Sequence, residues 1–202
     1  TMKARRTSTV LATVCLGAVA VAAAAHVTPT VVLLKDDEAV RTMLDSATRY
    51  AVREVRLSED EVRTVRERWG WTPEDDFSRF VLGRDAGGAL VGAVTFVTEV
   101  TIHGPVRVAV ALNPDGTVRD ARIVGLTEET LTWLKPLIDQ GLAAEYAGRS
   151  ADSDFGIPER FRRMRLSKMQ RFYAEIVGSL VHRAAILYRV AVLDREAAGI
   201  RD

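Results

Sequence analysis

The chain has 202 residues, 28 basic and 27 acidic side chains and one cysteine, enough for one domain with a substantial core plus an anchor and a tail. Cys15 lies in an apolar N-terminal run, so the cysteine-free remainder excludes disulfides, thiolate metal centres, iron–sulfur clusters and thioether-linked haem. The near-neutral total conceals a segregation: residues 35–154 carry 15 basic and 22 acidic side chains, and residues 155–202 carry 10 and 5.

Lys3, Arg5 and Arg6 precede a run from Thr7 to Leu34 that contains no Asp, Glu, Lys or Arg. As a helix, Ser8 to Ala25 spans about 27 Å, close to the hydrocarbon thickness of a bilayer. The basic tip favours a cytoplasmic N-terminus, with the rest of the chain on the far side. The small residues of "AVAVAAAAH" also fit the cleavage region of a signal peptide. As an anchor, the segment presents Ala12, Gly17, Ala20 and Ala24, which permit close helix contact.

Pro29 marks the expected exit of this segment. Val40, Met43, Leu44, Ala47, Tyr50 and Ala51 then recur at helical spacing and predict a surface helix within residues 35–52. "VREVRL" alternates like a short strand, and Ser58 with Glu61 forms a capping-box signal for a second helix reaching about Arg68. "FSRFVLG", "ALVGAVTFVTEV" and the halves of "GPVRVAVALNPDGTVRDARIVGL" predict four or five antiparallel strands, with turns at "RDAGG" and "NPDG". Val106, Val108, Val110 and Leu112 share one strand face and require helical cover. "TEETLTWLKPLIDQGLAAEYAG" predicts two short helices interrupted near Pro136 and closed by Gly148, followed by a loop. From Leu166 to about Glu196, a stripe of Met169, Phe172, Ile176, Leu180, Ala184, Leu187 and Ala191 predicts one long helix. Roughly thirty residues give about 45 Å, more than a small sheet needs, so part of this helix is expected to serve a partner. The expected architecture is α+β: a transmembrane anchor in residues 1–34, then one extracytoplasmic domain in residues 35–202.

The order of "FVLGRDAGGALVGAVTFV", "GPVRVAVALNPDGTVRDARIVGLTEET" and "LAAEYAGRS" resembles the FMN-binding domain of membrane electron-transfer subunits of the RnfG, NqrC and NosR type. The counterparts are Gly92, the Asp115–Gly116 turn, the pair Glu129 and Thr130, and "EYAGR"; the resemblance covers about residues 78–150 well and the last helix loosely. It implies an N-terminal anchor, an extracytoplasmic domain, and FMN bonded through its phosphate to a threonine at the start of the last helix. Small residues and helix N–H donors suit a phosphate there. In this sequence the position reads "RRMRLSKMQRFYAEIV". Leu166 and Ser167 keep the start of the motif, Lys168, Met169 and Gln170 replace its Gly-Ala-Thr, and Phe172 stands where the acceptor hydroxyl is expected. Thr132 and Trp133 likewise replace the open glycine position after Glu129 and Thr130.

The resemblance therefore implies a single-pass subunit of a respiratory or photosynthetic electron-transfer complex in the bacterial inner membrane, with a periplasmic domain and a degenerate flavin site. Such a subunit is structural rather than catalytic. Its expected partners are other membrane subunits, met through the transmembrane helix and the basic C-terminal helix, and lipid. The alternative is an electron carrier that holds FMN noncovalently, with Glu129, Thr130, Ser167, Arg163 and Arg165 as candidate ligands.

The basic run Arg160, Arg162, Arg163, Arg165, Lys168 and Arg171 suits the phosphate of FMN or of a lipid head group, or an acidic partner. Positive charge near a helix N-terminus opposes the helix dipole and calls for a partner. Glu128, Glu129 and Thr130 fit a helix cap as well as a flavin contact. Trp69, Trp71 and Trp133 suit ring stacking or core packing. His26, His103 and His182 are too scattered for a metal site, and no serine, histidine and carboxylate set stands out for hydrolysis. Nucleic acid is not an expected partner on the far side of a membrane.

Overall fold

The structure is a computed structural model and describes residues 28–74 and 77–199. The predicted transmembrane helix lies outside the described residues. The strands are β1 (Thr30–Val32), β2 (Arg49–Arg56), β3 (Phe77–Arg84), β4 (Leu90–Thr101), β5 (Gly104–Leu112) and β6 (Val118–Thr127). They form one antiparallel sheet in the order β1-β6-β5-β4-β3-β2. The helices are α1 (Asp36–Met43), α2 (Glu59–Trp69), α3 (Glu128–Ile138), α4 (Glu159–Arg162) and α5 (Lys168–Tyr188). A π-helical turn, Arg189–Asp194, carries α5 on to Arg195–Ala197.

The sheet thus has six strands where four or five were expected. One edge, β1, is built from the end of the charge-free run and pairs with β6 from Thr30↔Thr127 to Val32↔Gly125. The other edge, β2, takes Tyr50 and Ala51 out of the predicted helix, which stops at Met43. Residues 49–56 satisfy helical spacing and strand alternation alike, and an unbroken ladder with β3 from Arg49↔Arg84 to Arg56↔Phe77 decides between them. The second predicted helix forms as α2, with both halves of the Ser58–Glu61 capping box and a left-handed Gly70 at its end. Pro136 does not interrupt α3 but sits in its last turn; the break comes afterwards, at Gly141, where φ is 74°. The predicted loop after Gly148 contains the single turn α4.

Alternation places Val106, Val108, Val110 and Leu112 on one face of β5, all fully buried. They share a core with Tyr173, Val177, Leu180, Val181 and Ala184 of α5, Leu134 and Leu137 of α3, and Val65 of α2. A smaller core on the opposite face joins Ala39, Val40, Met43 and Leu44 to Val94, Ala109, Ala111 and Val124. Gly92 permits the close approach of the sheet to this second core, because a Cβ there would lie 2.5 Å from the Leu112 carbonyl oxygen and 3.2 Å from Leu44.

The long helix is not a surplus arm. Ala184 to Tyr188 are all buried, as are Val190, Ala191 and Val192. Tyr188 meets Phe80 edge-on with centroids 5.7 Å apart. Helix Lys168–Ala197 is the one helix among the described residues long and apolar enough to cross a membrane, and it serves as the core of the domain. Before its last turn, its exposed residues are Lys168, Arg171, Phe172, Glu175 and Ser179, all in the N-terminal half.

Arg195 fastens the C-terminal end. It donates to both Glu61 carboxylate oxygens at 2.7 Å and to the Arg56 carbonyl at 2.7 Å. The Arg195 hydrogen bond, aided by the Ser58 N–H and outweighing desolvation, holds the Glu61 carboxyl below its usual range. A depressed carboxyl contributes stability above its unfolded value and loses it as pH falls through the folded value. Arg195→Met is expected to lower unfolding free energy at neutral pH by about 1.5–3 kcal/mol. The deficit should shrink as pH falls below the ordinary carboxylate range, read by urea denaturation across pH.

Candidate functional site

The strand-to-helix junction at Thr127 is organised by hydroxyl groups. Thr127 caps α3: its Oγ1 accepts from the Thr130 N–H at 3.3 Å and donates to the His103 carbonyl at 2.7 Å. Thr130 Oγ1 lies 3.0 Å from Thr127 Oγ1 and 3.5 Å from the Tyr173 hydroxyl. The Tyr173 hydroxyl also lies 3.2 Å from Thr101 Oγ1. Thr130 and Tyr173 are fully buried. One connected set of hydroxyls therefore ties α3 and α5 to the β4–β5 turn.

Aromatic rings fill the space beside this set. Trp133 stacks on Tyr173 with centroids 5.6 Å apart and planes 13° apart, and His103 meets Trp133 edge-on at 4.9 Å. Phe172 contacts Tyr173 at 5.2 Å. Glu129 Oε1 lies 3.0 Å from His103 Nδ1.

Of the sequence-predicted site residues, Thr130 lies against Tyr173 in the second turn of α5 and Glu129 against His103, so both have partners within the protein. Ser167 caps α5: its Oγ accepts from the Gln170 N–H at 3.1 Å, and the Gln170 side chain accepts from the Ser167 N–H at 2.9 Å. Arg163 pairs with Glu159 at 2.9 Å on the exterior, and Arg165 is exposed. Arg160 binds Glu145, Arg162 binds Glu159, and Lys168 and Arg171 are exposed. The other aromatic candidates lie elsewhere. Trp69 donates to Asp152 at 3.2 Å, Trp71 lies under Arg183, and His182 stacks on Phe155. No group of His, Cys, Asp and Glu suited to a metal occurs among the described residues.

A second feature has no counterpart in the sequence analysis. The β3–β4 ladder runs only from Arg84↔Leu90 to Val81↔Val94, although β3 begins at Phe77 and β4 continues to Thr101. Beyond Val81 and Val94 the two strands keep only their outer neighbours, β2 and β5. The sheet splits, and a cleft of about 910 Å³ opens there, walled by Tyr50, Trp71, Phe77, Phe96, Val97 and Leu187. At its closed end Thr95 Oγ1 donates to the Arg79 carbonyl at 2.9 Å. Ser78 lines the cleft, is only 6% exposed, and its hydroxyl has no hydrogen-bond partner. The arginines at its mouth are paired, Arg79 with Glu54, Arg107 with Asp36 and Arg183 with Glu99. Unequal strand lengths alone do not signal this split, because Phe77–Phe80 of the shorter β3 are also unpaired with β4.

No protein-family model, curated protein or solved structure matches the chain.

The two sites differ in what a hydroxyl contributes. Tyr173→Phe removes the shared partner of two threonines and is expected to cost about 1–2 kcal/mol, whereas Ser78→Ala removes an unpartnered group and should leave stability unchanged or higher. Urea denaturation of both variants checks the contrast; equal losses would contradict the hydroxyl assignment.

Proposed function

We propose that the chain is a membrane-anchored, extracytoplasmic subunit that helps assemble a membrane electron-transfer complex, respiratory or photosynthetic, and that its FMN-binding-like domain carries no flavin. The observation that carries this reading is the Trp133–Tyr173 stack at the meeting of the Glu129–Thr130 pair with the last helix. The residues present do not fit a flavin there. Phe172 replaces the acceptor hydroxyl, Thr130 is committed to a buried network, and Ser167 caps its own helix.

Support for the anchor is the charge-free run that begins at Thr7 behind Lys3, Arg5 and Arg6. That pattern fits a bacterial inner membrane with a periplasmic domain. The small-residue face of the run suits contact with neighbouring membrane helices.

A second reading, a noncovalent FMN carrier, is favoured by the cleft. Its volume falls within the usual range for small-molecule sites, about 300–1,000 Å³. Its rings and the Ser78 hydroxyl offer stacking and a hydrogen bond. The flavin would then lie between β3 and β4 rather than beside Glu129, Thr130, Arg163 and Arg165.

An absorption spectrum and intact mass of protein released gently from its membrane decide between the two. A colourless protein of unmodified mass that co-purifies with a larger complex is the expected result. A flavin absorption band with unmodified mass, lost in Phe96→Ala, would replace the assembly reading with the carrier reading.

A further inference from the structure

Three parts of the chain converge at one end of the domain. The Pro29 carbonyl accepts from the Glu128 N–H at 3.0 Å and Thr30 pairs with Thr127, so the charge-free run joins the domain beside Thr127. The hydrogen bond from Thr127 to His103 places the β4–β5 turn at the same point. The Tyr173 hydroxyl beside Thr101 brings the first turns of α5 there as well.

The surface at this end has an unusual composition for a solvated turn. Ile102 is 94% exposed, Val100 78% and Phe172 45%. Beside Phe172 on the first turns of α5, Lys168 and Arg171 are exposed, as is Arg165 just before the helix, whereas Val100 shares the opposite sheet face with Val94 and Phe96. The opposing charges are Glu175, exposed one turn after Arg171, Glu128, which is exposed, Glu129, which faces His103, and Glu99, which is paired with Arg183. Apolar tips beside basic side chains match the two layers of a bilayer surface, an apolar boundary beneath anionic phosphates.

We infer that this end of the domain is a bilayer-docking surface. Ile102 and Phe172 enter the interfacial layer, and Arg165, Lys168 and Arg171 bind the phosphates of anionic lipids. The inference rests on the anchored reading above and adds what the domain itself does at the membrane: an anchor alone tethers the domain, whereas this surface orients it. Because β4 runs from Val94, where the split closes, to Thr101 at the turn, the β3–β4 cleft opens toward the same end.

The test uses the full chain with Cys15→Ser, which removes the only cysteine, and Ile102→Cys carrying an environment-sensitive fluorophore. A second chain carries the label at Pro114→Cys, in the exposed turn at the far end of β5, about 30 Å away. Both are reconstituted into phosphatidylcholine–phosphatidylglycerol vesicles containing spin-labelled lipid. The expected result is several-fold stronger quenching at position 102 than at 114, reduced by Arg165→Glu with Lys168→Glu and by high salt. Equal quenching in a chain that resists alkaline extraction would overturn the docking surface and leave the anchor standing. A chain released by alkali would overturn the anchor; salt-sensitive quenching at position 102 would then keep the surface, and its absence would remove both. Strong quenching that is equal in pure phosphatidylcholine would overturn the phosphate assignment. A position 102 shielded only within the native complex would assign the surface to a partner subunit.

Discussion

The burial of Val106, Val108, Val110 and Leu112 against α5 is the contact on which the remaining structure depends. A strand of alternating valines exposes one apolar face along its whole length, and a single helix lying across it removes that face from water. The helix must also come close to the loop at Phe155, which Gly178 allows, since a Cβ there would collide with the Phe155 carbonyl and the Tyr146 hydroxyl. Burying the latter without a partner raises the pKa of Tyr146 well above its ordinary value, with desolvation the largest cause. Tyr188, in the same helix, is pushed up to about 12, again chiefly by desolvation.

Fixing α5 fixes the chemistry at its start. Once Leu180 and Val177 are seated in the core, Tyr173 points toward Thr101 and Thr130, and Trp133 of α3 closes over it. The junction of β6, α3 and α5 is thereby filled by the protein's own rings and hydroxyls. The open volume lies instead between β3 and β4, where two strands part and a buried serine is left without a partner.

Features set by local chemistry were legible in the sequence. Ser58 and Glu61 cap α2 as their spacing implies. The Asn-Pro-Asp-Gly turn closes β5 onto β6, with the Thr117 N–H and hydroxyl donating to Asp115 and holding its carboxyl below the usual range. Features set by distant partners were not. Tyr50 and Ala51 join a strand because β3 is there to receive them, and β1 exists because β6 offers an edge. Most of the predicted C-terminal stripe is buried, with Leu180, Ala184, Leu187 and Ala191 in the core and Met169 and Ile176 packed against it; the buried face shifts by one residue only at Phe172, which is exposed while Tyr173 is buried. That shift hid Tyr173, the residue that links both halves of the closed site. Thr130 lies against Tyr173 of the last helix and Glu129 against His103, while Arg163, paired with Glu159, and Arg165 are exposed. Strand splitting leaves no local signature.

The core of this domain is α5, buried along its length against the sheet. Native-state amide hydrogen exchange on the full chain tests it directly, because core elements exchange only through global unfolding while detachable elements open at lower cost. Tyr173–Tyr188 and Val106–Leu112 are expected to share the highest protection and to lose it together as denaturant is added. Exchange of α5 through a separate opening, well below the free energy that protects β5, would contradict it.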